Sequence, residues 1–423
     1  KPGAASEAKA GAPALEAKPA VPEEAYQLPE QIQALKPQIE ALRTAQGRVD
    51  PAGLVQLMDK LPVLKSGSSA DLKSFATQTL GLPAGNLDIV SIKDLGTLGE
   101  RGVSGAPVYL IKNAEGRLMG AIKVFPPRQA FEMGSELSAM QTLREEKLQD
   151  LHAIDALGAA KLPDGSGVLV LSPAKGAPID DLMIEAGLAE NGPKREAAIA
   201  KLREAVKQNG AALAELHTKP YGSGSKAATA LDNHAKALSE ITEKIIDRVE
   251  GIRAKSGTLL VSPESLRQRA EALTKGLYHN PGTTSLIHGD FHPGNVFFDK
   301  EAGITVIDIG RLHESMNKDG FPIGSPARDF ATFDQKLANL GAAYGLRDGE
   351  ISELQSEFRQ AYGLRGPSIT DEANRFFHAR AAAGEFLKFL NKSGDKIVSG
   401  DSDITLEEIR DRQLKILYDT MGL

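Results

Sequence analysis

The stretch HGDFHPGNVFFDKEAGITVIDIG, from His288 to Gly310, places polar side chains around two short apolar runs. The segments NVFFD and GITVIDIG contain the β-branched and aromatic residues that are typical of buried strands. Asp290, Asn295 and Asp308 lie near the ends of these runs, where Asp and Asn most often cap a helix or close a turn. Turn chemistry explains each residue alone, but it explains poorly why all three occur in this order.

The composition limits the classes of protein that this chain can be. It has 423 residues, 41% hydrophobic and 25% charged, which is an ordinary mix for a protein with two or three lobes. A formal net charge of -6 argues against a nucleic-acid binder that relies on a basic surface. Because there is no cysteine, disulfides, thiolate metal sites and cysteine nucleophiles are excluded. No apolar run approaches the roughly 18–20 residues that span a bilayer.

Four segments of the chain differ in their pattern. Residues 1–29 are rich in Ala, Pro, Lys and Glu and predict a disordered linker or a tail for secretion or targeting. Residues 30–67 predict a helical extension, which is either an accessory domain or packing for the core. Residues 68–172 read as strands and turns, and residues 173–423 have mostly helical periodicity. The predicted fold class is therefore α+β, with a β-rich lobe followed by a helical lobe.

Local signals predict two boundaries within the β-rich segment. Ser69 or Asp71 is the predicted N-cap of a helix that stops at Gly81. The segment NAEG, from Asn113 to Gly116, predicts a hairpin turn between the strands VYLIK and GAIKVF. A small, mostly antiparallel sheet is therefore expected before about residue 172.

The spacing within the opening stretch predicts a metal site. Asn295 follows Asp290 by five residues, and Asp308 lies thirteen residues further on, at the end of an apolar strand. Two oxygen ligands on neighbouring loops suit Mg²⁺, which takes few protein oxygens together with phosphate and water. The same Asp-to-Asn offset, followed by a metal-binding Asp, occurs in protein kinases. A further carboxylate in this place can receive the proton of a hydroxyl group.

Two motifs resemble those of a known family. HGDFHPGN followed by VIDIG is similar to the signature of the aminoglycoside phosphotransferases and of the related choline-kinase-like small-molecule kinases. GSPARDFATF at residues 324–333 resembles the later G-D-P-x-x-D-L-A segment of that family, with Ser325 and Phe330 as departures. The resemblance covers roughly residues 68–423. It implies a protein-kinase-like fold of two lobes, with a small antiparallel β-rich N-lobe and a larger helical C-lobe.

The resemblance also implies a role for each matching position. Asp290 would be the catalytic base or the group that orients the acceptor hydroxyl, and Asn295 and Asp308 would bind Mg²⁺. His288 would brace the catalytic loop. Asp329 would pin that loop from the following helix.

A kinase-like site also needs a strand lysine that holds phosphates and a helical carboxylate that holds the lysine. The segment GAIKVF supplies Lys123 between apolar neighbours, as in a strand. The predicted helix SELSAMQTLREE places Glu136 thirteen residues after Lys123, and Glu136 is the expected partner. Glu132 is the alternative. In the non-functional interpretation, Lys123 only extends from the strand edge to solvent.

The glycine-rich turn LGTLGERGVSGAP is the expected phosphate-binding loop. Gly99, Gly102 and Gly105 are its candidate nucleotide contacts, since backbone amides in such turns can bind phosphate. Their spacing departs from G-x-G-x-x-G-x-V, because Val108 comes three residues after Gly105 instead of two. An ordinary flexible hairpin is therefore the alternative. The adenine of a nucleotide is expected near the connection VLVLSPAKG between the lobes.

Three functions remain open from the sequence. The first is a phosphotransferase that uses ATP and Mg²⁺ to modify a hydroxyl of an aminoglycoside- or sugar-like small molecule. The second is a protein Ser/Thr kinase, which the Ala/Pro-rich tail would suit in a secreted bacterial effector. The third is a catalytically inactive binding module, which the complete set of candidate residues disfavours. No nucleic-acid partner and no membrane span are expected, and the expected location is the bacterial cytoplasm, or a host cell for an effector.

Overall fold

The computed structural model describes most of the chain between residues 33 and 422. The described residues are 33–42, 50–82, 87–91, 106–218, 231–249, 262–317, 322–392 and 406–422. The tail predicted for residues 1–29 and the three candidate glycines at 99, 102 and 105 lie outside the described residues.

The order of elements changes from mixed to helical along the chain. The strands are β1 (Leu87–Ser91), β2 (Val108–Asn113), β3 (Leu118–Phe125), β4 (Leu151–Ala153), β5 (Ala156–Lys161), β6 (Gly167–Leu171), β7 (Ala177–Pro178), β8 (Val296–Asp299) and β9 (Gly303–Val306). The helices are α1 (Leu35–Ala41), α2 (Pro51–Met58), α3 (Ser69–Thr79), α4 (Ala130–Glu146), α5 (Ile179–Leu188), α6 (Pro193–Thr218), α7 (Leu231–Val249), α8 (Pro263–His279), α9 (Pro326–Ala343), α10 (Asp348–Gly363), α11 (Asp371–Lys392) and α12 (Leu406–Met421). Short 3₁₀-helices cover Pro127–Gln129, Pro293–Asn295 and Ile309–Ser315.

The N-lobe contains an antiparallel sheet in the order β1-β2-β3-β6-β5. Side chains alternate across a strand, so β3, β5 and β6 contribute to two separate cores. On β6, Val168 and Val170 pack in the cluster on the α3 side, whereas Leu169 packs in the cluster that includes α4. On β3, Ile122 faces α3, so the next residue, Lys123, points toward α4. The alternation of β3 therefore places this lysine beside the helix that carries Glu136.

A second sheet, in the order β4-β9-β8-β7, connects the two lobes. β8 and β9 form an antiparallel hairpin, and Asp299 closes its turn by accepting the backbone N–H groups of Glu301 at 2.9 Å and Ala302 at 2.8 Å. β4 pairs with β9 in parallel, in contrast to the antiparallel N-lobe sheet. Asn295 immediately precedes β8 and Asp308 follows β9, so the hairpin brings these two residues to the same end.

The C-lobe is built from helices that bury apolar stripes. Leu202, Val206 and Leu213 of α6 are fully buried in the main core, as the helical periodicity predicts. A second core lies between α7, α8, α11 and α12. The structure confirms the predicted α+β class with a β-rich N-lobe and a helical C-lobe. Within the ranges that the structure describes, no helix has the length and apolar character needed to cross a bilayer.

One predicted boundary was wrong and another was confirmed. The N-cap of α3 is Ser68 rather than Ser69 or Asp71, because the Ser68 hydroxyl accepts the backbone N–H of Asp71 at 3.2 Å. With two adjacent serines at this point, N-cap propensity alone does not choose between them. The turn at residues 113–116 is confirmed, since the Gly116 N–H donates to the Asn113 carbonyl at 2.9 Å.

A buried ion cluster in the C-lobe predicts a loss of stability in acid. Asp334 of α9 is fully buried and accepts hydrogen bonds from Arg359 at 3.0 and 2.7 Å and from His378 at 2.9 Å. Burial raises the pKa of Asp334, but His378 and Arg359 outweigh burial and hold the pKa below its ordinary value. This stabilisation is complete above the pKa of the unfolded chain, about 3.9, and is lost as the pH falls through the folded pKa.

We therefore expect Asp334→Asn to lower the free energy of unfolding by about 1–3 kcal/mol at pH 7, since one charged acceptor of a buried network is lost. Urea unfolding at several pH values between 3 and 7 measures this effect. The variant should also lose less stability between pH 5 and pH 3 than the parent does. Equal acid dependence in the two proteins would show that Asp334 is not the responsible group.

Candidate active site

Lys123 lies at the centre of a buried group of charges. Its Nζ donates to Oε2 of Glu136 on α4 at 2.7 Å, and it also contacts Oδ1 of Asp308. Lys123 and Glu136 are 7% and 3% exposed, whereas the side chain of Asp308 keeps 38% of its surface exposed. The structure thus brings together the predicted strand lysine, a helical glutamate and a predicted metal ligand. Glu136, rather than the alternative Glu132, contacts the lysine.

The two carboxylates around one ammonium group shift the pKa of all three groups. Burial lowers the pKa of Lys123, but Glu136 and Asp308 together raise it above its ordinary range. Burial raises the pKa of Glu136, because the attraction of Lys123 offsets only part of the desolvation. For Asp308 the attraction of Lys123 exceeds the effect of burial, and its pKa is lowered. Asp308 is therefore the carboxylate of this group whose pKa is lowered and whose side chain is open to an incoming cation.

The backbone of Asp308 adopts an unusual conformation. Its φ is 57°, in the left-handed region that residues other than glycine rarely occupy. Such conformations persist where the surrounding structure holds them, and they are enriched at functional sites. Lys147 also has a positive φ of 49°, but it occupies the C-cap of α4, where this conformation is common. The turn at Asp308 connects β9 to the 3₁₀-helix Ile309–Ser315 and leaves the carboxylate against Lys123.

His288 connects two loops through both ring nitrogens. Its Nδ1 accepts the backbone N–H of Asp290 at 3.2 Å, so its Nε2 carries the proton and donates to the Ile307 carbonyl at 2.9 Å. The ring also packs edge-on against Phe291, with centroids 5.6 Å apart. Because both nitrogens are occupied by backbone groups, His288 has no nitrogen left for a ligand in this arrangement.

Asp329, at the start of α9, holds the backbone of the same loop. Its carboxylate is fully buried and accepts the backbone N–H groups of His288 at 2.6 Å and Gly289 at 2.8 Å. His217 of α6 lies 3.5 Å from the same carboxylate. Burial raises the pKa of Asp329, but the hydrogen bond from His217 and the nearby cations lower it below its ordinary value. The side chain thus lies where the sequence predicts, under the loop that leads to Asp290.

Asp290 and Asn295 are joined across the loop. The amide Nδ2 of Asn295 donates to the backbone carbonyl of Asp290 at 3.1 Å, which leaves the amide oxygen as the atom suited to a cation. The side chain of Asp290 is half-buried. Burial raises the pKa of Asp290, but its interactions with His292, Arg311 and other neighbouring side chains outweigh burial, and the pKa is lowered. Asp290 is therefore a carboxylate at neutral pH.

The oxygen atoms of Asn295 and Asp308 suit Mg²⁺, which would also need ligands from outside the protein. Asn295 and Asp308 supply hard oxygen atoms, and neither thiolate nor imidazole is part of the pair. In the part of the chain that the structure describes, no group of three or more His, Asp or Glu residues could hold a metal ion by itself. A metal at this position would therefore depend on phosphate and water oxygens for the rest of its ligands.

Sequence reasoning did not single out four residues that hold the catalytic loop: His217, Gly289, Arg328 and Tyr362. Arg328 donates to the carbonyl of Gly289, and His217 connects Asp329 to the hydroxyl of Tyr362, 2.9 Å from its Nδ1. Gly289 has a φ of 85°, and a Cβ at this position would lie 2.8 Å from the Cβ of Arg311. The glycine of the HGD motif was the available signal, because a turn with positive φ and a close neighbour requires glycine.

The chain belongs to the phosphotransferase enzyme family, whose model matches residues 100–315. The matched stretch is about half of the chain and includes Lys123, Glu136 and the stretch from His288 to Gly310. The protein is accordingly a phosphotransferase. The helices α1 and α2, and α9 with Asp329, lie outside the matched stretch.

The solved structures that are similar to the chain have low sequence identity to it. A Plasmodium vivax ethanolamine kinase is 11% identical over 90% of this chain and 96% of its own, with a TM-score of 0.45. A glucosamine kinase is 14% identical over 89% and 98%, with a TM-score of 0.48. A thermostable mutant of the aminoglycoside phosphotransferase APH(4)-Ia is 15% identical over 83% and 100%, also with a TM-score of 0.48. No curated protein matches the chain.

Proposed function

We propose that the protein uses ATP and Mg²⁺ to transfer the γ-phosphoryl group to a hydroxyl of a sugar-like small molecule. The observation that carries this proposal is the contact of Lys123 with both Glu136 and Asp308. In kinases, the lysine–glutamate ion pair and the metal-binding Asp must both be in place for transfer. Membership of the phosphotransferase family supports the type of reaction. The identities of the phosphate donor, the metal ion and the acceptor are what we propose beyond the type of reaction.

Lys123 is the proposed phosphate-binding group. Its ammonium is shared between two carboxylates, and Glu136 is the more buried of these. Phosphate oxygens of ATP would take the place of Asp308 as the second partner of Lys123. Glu136 would then keep the ammonium in position, and Asp308 would be released for the metal.

Asn295 and Asp308 are the residues that would hold Mg²⁺. Both side chains offer hard oxygen ligands, and the exposed surface of Asp308 leaves room for a cation, which supports this assignment. Bound Mg²⁺ would supply neutralisation of the charge that develops on the phosphate oxygens. His288 contacts the carbonyl of Ile307, and the Ile307 N–H donates to the Asn295 carbonyl at 3.0 Å, so the two ligand-bearing loops are joined by hydrogen bonds.

Asp290 would act on the acceptor. Its lowered pKa leaves it ionised at neutral pH, so it can accept a hydrogen bond from the acceptor hydroxyl and orient it. The hydroxyl oxygen forms a bond to the γ-phosphorus while the bond from that phosphorus to the β–γ bridging oxygen breaks and ADP leaves. The proton of the hydroxyl passes to the Asp290 carboxylate.

The charges near Asp290 favour a neutral or acidic acceptor over an aminoglycoside. Lys336 of α9 and Lys388 of α11 each lie 3.1 Å from the same oxygen of Glu385, so two ammonium groups share one carboxylate. Both lysines are close enough to Asp290 to interact with its charge. The two ammonium groups would repel those of an aminoglycoside, whereas they could donate hydrogen bonds to the oxygens of a neutral or acidic acceptor.

A binding measurement followed by a transfer assay tests the proposal. MgATP should raise the melting temperature of the protein by several degrees at saturating concentration, because it binds only the folded state. Phosphate transfer should then be seen to glucose or gluconate in preference to kanamycin or casein. Absence of stabilisation by MgATP, or phosphorylation of casein alone, would contradict the proposed function.

A further inference from the structure

The helix that carries Glu136 is held from its opposite side by α1 and α2. Gly134 and Ser138 are four residues apart and share one face of α4, while Glu136 points to the other face. A Cβ on Gly134 would lie 3.2 Å from Leu54 and 3.4 Å from Met58, so the backbone of α4 approaches α2 closely. A larger side chain at position 134 would push the two helices apart.

The contact between these helices is both apolar and polar. Ile39 of α1 and Leu54 and Met58 of α2 are at most 1% exposed and belong to the same core cluster as α4. The hydroxyl of Ser138 donates to Oε1 of Glu40 at 3.0 Å. Near the end of α4, Lys36 forms an ion pair with Glu145. Burial of three large apolar side chains makes this a strong contact.

The chain that follows α2 is attached to the N-lobe sheet. After α2 the chain pairs with the edge strand β5, where Lys161 N–H donates to the Pro62 carbonyl and Leu64 N–H to the Lys161 carbonyl, both at 2.8 Å. Lys161 also forms an ion pair with Asp59. The described residues 33–42 and 50–64, called here the N-terminal clamp, thus connect the edge of the sheet to α4.

We propose that the N-terminal clamp positions Glu136 for the reaction. The sheet carries Lys123 and α4 carries Glu136, so a segment attached to both sets the distance between the two side chains. The clamp lies before the stretch that the family model matches. Glu40, Leu54 and Met58 are accordingly positioning residues, which act on nucleotide binding through Glu136. This inference rests on the proposed nucleotide role of Lys123.

A double-mutant cycle on the full chain tests this coupling. Leu54→Ala should weaken the affinity for MgAMP-PNP, measured by calorimetry, by about tenfold, within the range seen for coupled residues in contact. In a Glu136→Gln background, the same Leu54→Ala change should have an effect of less than about twofold, because the ion pair that the clamp maintains is already lost.

The matched control is Leu277→Ala, which removes an equally buried leucine from α8 in the second core. It should leave the affinity for MgAMP-PNP unchanged in both backgrounds, with melting curves showing that each variant is folded at the assay temperature. If Leu54→Ala is not folded there, Glu40→Ala gives the same comparison with a smaller effect, about two- to threefold.

Two results would overturn the inference. One is an equal loss of affinity from Leu54→Ala in both backgrounds, which would mean that the clamp acts by another route. The other is an unchanged affinity in the Leu54→Ala single variant. Failure of the parent protein to bind MgAMP-PNP at all would instead remove the proposed function, so the two failures are distinguishable.

Discussion

Asp290→Asn should lower kcat by about 10²–10⁴-fold, the range for loss of a general base, while the affinity for MgATP stays close to that of the parent. Among the described residues, Lys123 contacts the carboxylates of Glu136 and Asp308 and not that of Asp290. The change therefore removes the group that orients the acceptor hydroxyl and leaves the proposed phosphate and metal contacts in place. Turnover should be measured on protein shown to be folded, together with calorimetry of MgATP binding.

Asp299→Asn is the matched control for this change. Asp299 closes the turn at the far end of the β8–β9 hairpin through its Oδ1, and an asparagine oxygen can accept the same two hydrogen bonds. This control should keep near-parent kcat. If Asp290→Asn also keeps near-parent turnover per folded molecule, Asp290 only stabilises the loop and the proposed mechanism is wrong.

Asp308→Ala should remove the Mg²⁺ dependence of ATP binding. In the parent, Asp308 has a lowered pKa and is the more exposed carboxylate of the buried charge group, so it is the expected anchor of the metal. Its loss also frees Lys123 from one carboxylate, and this ammonium can then bind phosphate without a metal. Affinities for ATP with and without Mg²⁺ should therefore become nearly equal. The value of kcat should fall by about 10²–10³-fold, as for the loss of one group that stabilises transition-state charge.

Calorimetric titrations of ATP in Mg²⁺ and in EDTA measure the effect of Asp308→Ala. The Asp299→Asn variant serves again as the control, because it alters a neighbouring carboxylate outside the buried charge group. Mg²⁺-dependent binding that is unchanged in Asp308→Ala would show that the metal is held elsewhere, and the assignment of Asn295 would fall with it.

The sequence predicts those parts of the site that are close together in the chain. The order of Asp290, Asn295 and Asp308 predicted a strand–turn–strand unit, and the β8–β9 hairpin places Asn295 and Asp308 at one end. The apolar neighbours of Lys123 placed it in a strand, and the offset of thirteen residues favoured Glu136 on the next helix as its partner. These inferences succeed because a strand or helix period fixes where neighbouring side chains point.

Contacts between distant segments were beyond such reasoning. Nothing in the local sequence shows that His217 and Asp329, which are 112 residues apart, meet under the catalytic loop. The role of residues 30–67 was left open between an accessory domain and core packing, because an amphipathic pattern does not name the surface that covers it. In the structure, α1 and α2 pack on α4, with Leu54 and Met58 close to Gly134. The parallel pairing of β4 with β9 likewise depends on a strand formed about 150 residues later.

The most direct test of phosphoryl transfer is to follow labelled oxygen from the γ-phosphate of ATP. The protein should be incubated with Mg²⁺, gluconate or glucose, and ATP that carries ¹⁸O at every γ-phosphate oxygen, including the β–γ bridge. The account predicts a phosphate monoester with three labelled oxygens and an unlabelled bridging oxygen from the acceptor hydroxyl, with the remaining label in ADP. Label that appears only in inorganic phosphate, or on side chains of a protein substrate, would contradict transfer to a small-molecule hydroxyl.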